Sequence, residues 1–257
     1  MNTTKKHLTL LLLGMIIILP LFTTSCFKKG SEDPFISIYT RKARVTGEWI
    51  ISDLTWEIRS DDEIEELLTT TTIKNGADWK RIIQIVGTEN EKELEGTVLE
   101  NRNKMIFYDD GRFTQTLEYE YYEDSIDSAD EDNVITITTK VQETMEGTWN
   151  FLSNVDDFKN KERLSLVVES SNSKTFVYHL IIPEDEEEEP YQDLKSSIAS
   201  SQIYANGQYS TIWTLRMLKN KQIIMDQDIE SFYVQTILGD GTSYTEVGYK
   251  TQTLTRE

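Results

Sequence analysis

In residues 113–121 every second side chain falls on one face. Phe113, Gln115, Leu117, Tyr119 and Tyr121 lie on one side, and Thr114, Thr116, Glu118 and Glu120 lie on the other. A period of two is the strand period, and a helix does not satisfy it. Just upstream, residues 104–108 are rich in apolar side chains, and Asp109-Asp110-Gly111 is a turn signal. Residues 104–121 therefore read as a β-hairpin.

The same texture recurs along the chain. Residues 47–58 partly alternate, with Ile50, Leu54, Trp56 and Ile58 assigned to one face. Residues 79–86 make another strand. Ile135, Ile137 and Val141 share a side, and Leu164, Leu166 and Val168 alternate. Residues 175–182 are apolar on both faces, as in a central strand. Residues 213–217 and 223–225 flank a turn at Asn220-Lys221, and a last hairpin turns at Gly239-Asp240-Gly241-Thr242. Ser60-Asp61-Asp62-Glu63 resembles a capping box ahead of Ile64, Leu67 and Leu68, which predicts a short helix. Acidic stretches at 123–133 and 184–189 read as solvated loops, and they discourage edge pairing. The sum is roughly ten short strands with hairpin signals and little helix. That spacing predicts an all-β fold, a single antiparallel up-and-down barrel. The alternatives are a β-sandwich or two small β domains, because Gly47-Glu48-Trp49 and Gly147-Thr148-Trp149 resemble the starts of two related halves.

Composition excludes some functions. The chain has 257 residues, 45 acids against 26 Lys and Arg, and a formal net charge of −19. Nucleic acid and anionic lipid faces need clustered cations, so neither is an expected partner.

The N-terminus carries an address. Lys5 and Lys6 precede an almost unbroken apolar run over residues 8–22, which Thr23-Thr24-Ser25-Cys26 closes. A basic start, an apolar stretch and small residues make a secretory signal peptide. The run is shorter than the roughly 20 residues that span a hydrocarbon core. Cys26 is the chain's one cysteine, so it forms no internal disulfide. Its place directly after small residues resembles the lipobox of bacterial lipoproteins, although Thr23 stands where that pattern usually has Leu. The resemblance implies acylation of Cys26, a signal over 1–25, a tether over 26–45 and a folded part over 46–257. It also implies anchoring in the outer membrane, on its periplasmic face or at the cell surface. Glu32-Asp33 weakly resembles the surface-export signal of some such lipoproteins. Residues 27–46 are expected to form this polar tether, followed by an extended segment.

Three features together resemble the lipocalin-like lipoproteins of Gram-negative bacteria. They are Gly47-Glu48-Trp49 behind the basic stretch Arg41-Lys42-Ala43-Arg44, the Asp110-Gly111 hairpin, and Gly147-Thr148-Trp149 in mid-chain. The 213–225 hairpin fits as a late pair of the barrel. The resemblance covers residues 40–255. It implies a barrel around an apolar interior, with Trp49 packing at one end. For Trp149 core packing is likewise expected.

Catalytic signals are sparse. His179 lies in an apolar segment with no Gly-x-Ser-x-Gly element anywhere, so a structural role is expected. No His/Cys cluster suggests zinc, and neither acidic tract has calcium-loop spacing. No cofactor is expected, and the carboxylates are too many to pair from sequence. The expected function is non-enzymatic: a membrane-anchored lipoprotein holding a small apolar or amphipathic ligand. The alternative is an interaction or structural subunit of an outer-membrane or cell-surface complex, with a filled barrel and the aromatics of 119–122 at its contact. A carboxylate hydrolase is the third reading. Cys26 is the one site residue that the sequence assigns.

Overall fold

The computed structural model describes residues 40–61, 66–127, 130–152, 162–182, 189–237 and 240–256. Cys26, Glu32-Asp33 and residues 184–188 of the second acidic tract lie outside them. A one-turn helix, α1 (Arg41–Val45), leads into eleven strands: β1 (Gly47–Asp61), β2 (Glu66–Lys74), β3 (Asp78–Ile85), β4 (Glu91–Phe107), β5 (Arg112–Asp127), β6 (Asp130–Phe151), β7 (Glu162–Ile181), β8 (Tyr191–Ile203), β9 (Tyr209–Leu218), β10 (Gln222–Ile237) and β11 (Asp240–Thr255). They form one antiparallel sheet, which closes where β1 pairs with β11 and β6 with β7. The all-β barrel expected from the alternation is the fold observed. It is neither a sandwich nor two domains. The ladders that close the wall run from Gly47 to Thr255.

The ring is uneven, and the unevenness shapes the interior. At the base, the start of β1 pairs directly with the end of β4, from Gly47↔Phe107 to Ile50↔Lys104. There too, the first part of β7 pairs with β9, from Glu162↔Leu215 to Val168↔Tyr209. The base is thus a ring of β1, β4, β5, β6, β7, β9, β10 and β11. Eight strands leave room for little more than their own side chains. Accordingly Val45, Trp49, Met105, Phe107, Phe113, Leu164, Leu218, Ile223 and Leu254 are buried there. Higher up, the β2–β3 hairpin inserts between β1 and β4. The second part of β7 turns to β8 in place of β9. The ring widens. Among the described residues no ladder joins β8 to β10 at this level, so the upper wall has a lateral gap.

The base is also closed from below. α1 begins at Thr40, whose Oγ1 accepts from the Ala43 amide at 3.1 Å. Val45 is fully buried, the Arg44 guanidinium donates to the Leu218 carbonyl, and Arg41 pairs with buried Glu162 at 2.8 Å. The expected extended segment over 41–45 is therefore a helix. Its basic residues satisfy carbonyl and carboxylate groups at the barrel floor.

Other expectations change for local reasons. The 104–121 hairpin forms as read, with Phe113, Gln115, Leu117 and Tyr119 buried. In β1, however, Ile50 faces out at 38 % exposure, whereas Trp49 and Ile51 face in. A bulge between Ile51 and Asp53 switches the parity, so Leu54 returns to the inner face. The predicted helix near 60–68 is not found in its described part. Leu67 and Leu68 belong to β2, paired with Ser60 and Arg59; residues 62–65 lie outside the described residues. The acidic stretch 123–133 is mostly strand, since β5 runs to Asp127 and β6 starts at Asp130. Cross-strand pairing overrides its polarity. In the last hairpin Ile237 pairs with Asp240, so Asp240, Gly241 and Thr242 belong to β11 and not to the turn.

The two Gly-x-Trp elements also differ in kind. Gly47 has φ +128°, a left-handed conformation that side chains disfavour. Gly147 has an ordinary φ but sits at a bulge where a Cβ would lie 2.0 Å from the Val167 carbonyl oxygen. They solve different problems and do not mark related halves. Their tryptophans both pack, as expected. Trp49 Nε1 donates to the Val45 carbonyl at 2.7 Å, and Trp149 Nε1 donates to that of Tyr108 at 3.1 Å.

Candidate ligand chamber

Above the packed base the barrel is hollow. A cavity of about 870 Å³ opens through the upper wall. Its size falls in the range of small-molecule sites. Strand alternation decides its lining. From β1 come Leu54, Trp56 and Ile58; from β3, Trp79 and Arg81; from β5, Leu117 and Tyr119; from β6, Glu143 and Met145; from β11, Lys250 and Gln252. Tyr204 and Tyr209, whose rings lie 5.0 Å apart, stand on the side of the gap.

One wall is aromatic. Trp79 stacks on Tyr119 at 4.8 Å and on Tyr121 at 5.1 Å. Tyr119 and Tyr121 are thus inner-face residues, as their alternation implied, while Tyr122 is exposed at 45 %. Arg81 lies over the Trp79 ring at 5.3 Å and donates through Nε to Thr71 Oγ1 at 3.1 Å.

The opposite wall carries a half-buried ammonium. Lys250 pairs in register with Trp56 on β1 and with Gln227 on β10. Its Nζ sits 4.8 Å from the Trp56 ring centre and 5.8 Å from that of Trp213. Rings attract a cation by their quadrupole, which partly replaces lost water. Burial nevertheless pushes Lys250 down to about 8, and the charge of Glu143 opposes that shift. Glu143 moves the other way: burial raises its pKa, against the pull of Lys250 and Arg81. Among the described residues no carboxylate lies within ion-pair distance of Lys250. Burial likewise drives the Tyr119 phenol up to about 12.

Among the described residues, two polar groups on that wall find no hydrogen-bond partner. Gln252 is 1 % exposed, and neither its Nε2 nor its Oε1 is hydrogen-bonded. Trp56 Nε1 is also buried without a partner. Unmet buried donors and acceptors each cost roughly 1–3 kcal/mol, so a group that met them would bind here with advantage.

His179 lies elsewhere, mid-strand in β7 between Ile137 and Asp193. It does not line the chamber. Among the described residues no three His, Cys, Asp or Glu side chains gather as a metal site would require. No described helix is long and apolar enough to cross a membrane. The chamber's charged residues were missed in the sequence, yet their parity marks them. Lys250 and Gln252 alternate with buried Leu254, Arg81 with Trp79, and Glu143 with Val141. A charge on the apolar side of a strand was the available signal.

Fold and site together define an antiparallel β barrel with a packed base and a hollow, partly charged upper chamber. No family model matches the chain, and neither the curated proteins nor the solved structures contain a match.

Proposed function

We propose that this protein is a non-enzymatic lipoprotein, anchored in the outer membrane through Cys26, whose barrel holds a small apolar or amphipathic molecule. The resemblance to lipocalin-like lipoproteins agrees with this reading. The observation that carries it is the contrast along the barrel axis. A chain selected only for a packed core would fill the upper ring as it fills the base, yet some 870 Å³ there is left open among Trp, Tyr and Leu side chains.

The neutral dye N-phenyl-1-naphthylamine tests the chamber. It is expected to gain fluorescence at one dye per protein and to quench emission from Trp56 and Trp79. Absence of uptake would overturn the reading. The anchor has its own test. Cys26→Ala is expected to move the expressed protein from the detergent phase to the aqueous phase in a phase-separating detergent. A variant still partitioning with detergent would remove Cys26 from the account.

A subunit role in an outer-membrane or cell-surface complex is the second reading, and β8 favours it. Among the described residues this strand pairs only with β7. It leaves Leu194, Ile198 and Ile203 exposed at 50, 68 and 82 %. A bare edge with apolar side chains is a template for strand addition. A chamber that takes up no dye would shift the weight to this role.

A further inference from the structure

The chamber's two walls are chemically unlike, and the difference bears on what it holds. On the β1–β11 wall three hydrogen-bond donors share one patch. Trp56 stands opposite Lys250, and Gln252 is the next inward residue on β11, opposite Leu54. Among the described residues Trp56 Nε1 and Gln252 Nε2 are buried without a hydrogen-bond partner, and Lys250 Nζ rests over the Trp56 ring. The Gln252 amide is almost completely buried. Arg81 adds a second cation from β3, whereas Glu143 is the acid facing them both. The cavity lining as a whole carries these two cations against four carboxylates, in keeping with a chain at −19. Asp228, Glu230 and Glu246 line the cavity on the β10–β11 side. Facing this patch are the apolar Leu117 and Met145 and the Trp79–Tyr119 stack.

We propose that the chamber takes an amphipathic organic anion, whose single carboxylate or sulfonate is held by Lys250, Trp56 Nε1 and Gln252 Nε2 while its apolar body lies against Leu117, Met145 and the Trp79–Tyr119 stack. This rests on the chamber reading above and specifies its ligand. An anionic head gives each of these donors an acceptor. A charged acceptor is worth more to such donors than a neutral one.

Two dyes of nearly equal shape isolate the head. N-phenyl-1-naphthylamine is neutral, and 1-anilinonaphthalene-8-sulfonate is the same ring system with one sulfonate. Residues 27–257, which contain the whole closed sheet, are titrated with each by fluorescence. The sulfonate is expected to bind about tenfold or more tighter than the neutral dye, in line with one or two charge-assisted hydrogen bonds. In Lys250→Met that preference is expected to vanish while neutral-dye affinity stays within about twofold. Lys250→Arg should retain much of it, and Lys174→Met, at an exposed position on β7, should change neither dye. Should Lys250→Met not fold by circular dichroism, Trp56→Phe carries the comparison. It keeps the ring, removes Nε1, and is expected to weaken the sulfonate severalfold. Equal affinity for the two dyes, or a sulfonate preference that survives Lys250→Met or Trp56→Phe, would overturn the assigned head site and leave the chamber reading standing. Uptake of neither dye would overturn the chamber reading itself.

Discussion

Trp49→Ala is expected to destabilise the protein by about 3–5 kcal/mol, the range for deleting a fully buried aromatic side chain. With a urea m-value of about 2–3 kcal/mol/M, the unfolding midpoint should fall by roughly 1–2 M. The ring is 0 % exposed. It is held from below by the Val45 carbonyl, which accepts from Nε1 at 2.7 Å, and covered by the Arg256 guanidinium 4.3 Å from its centre. Truncation opens a void in the eight-strand base, which has no slack to close it, and releases α1 from the floor. Trp56→Ala is the informative comparison. That residue already borders open space, so its loss enlarges a cavity and creates no new one. Its cost should be under about 2 kcal/mol. Urea denaturation of both variants checks the claim. Equal losses would mean that base and chamber are packed alike.

Alkaline stability should rise before it falls. Lys250 binds its proton with a pKa of about 8 in the fold, against the ordinary 10.5. Between these values the unfolded chain holds more protons than the folded one, so unfolding free energy increases with pH. The gain from pH 7 to pH 9.5 should be about 2 kcal/mol. Tyr119 acts with the opposite sign at higher pH. Its phenol titrates at about 12 in the fold and near 10 when unfolded, so stability declines as pH passes 10. Glu143 contributes with the opposite sign at lower pH, because burial raises its carboxyl and folded stability is lost as pH climbs above the ordinary carboxylate value. Gln227, Asp228 and Glu230 on β10, Glu246 on β11, Arg81 on β3 and the rings of Trp56 and Trp213 complete the surroundings of Lys250. Lys250→Met should be more stable than the parent at pH 7 and show no rise to pH 9.5. Tyr119→Phe should keep the rise and lose the later decline. Urea titrations at several pH values read both. A parent profile flat from 7 to 9.5 would place Lys250 in contact with water and not inside the barrel wall.

Much of the fold was legible because strand alternation is a local signal. The 104–121 hairpin, the 164–168 face and the 213–225 pair could be read from period and turn residues alone. What escaped was decided at a distance. The bulge after Ile51 falls where β1 changes partner from β4 to β2, and no pattern within residues 47–58 records that change. Leu67 and Leu68 suited a helix until β1 and β3 claimed their backbone on both sides. The chamber escaped for a different reason. Its existence depends on ring width, which the β2–β3 insertion sets, while its chemistry lay in single charges at inward positions. Lys250, Arg81 and Glu143 were each readable by parity, but only the closed ring brings three strands so far apart in sequence to face one another.

Ring closure also dictates the order in which this chain can be completed. Ile50 pairs with Thr255, and Leu54 with Gln252. The first and last strands are therefore zipped together across nearly the whole length of the folded part. Contacts of such long sequence separation form slowly, because the entropy of a large loop is lost before they give anything back. Until β11 is in place the chain is an open, curled sheet with two bare edges, however well its hairpins have formed. A chain stopped short of residue 250 lacks that lysine and the pairs from Ile50↔Thr255 to Trp56↔Lys250, so its base is left unclasped.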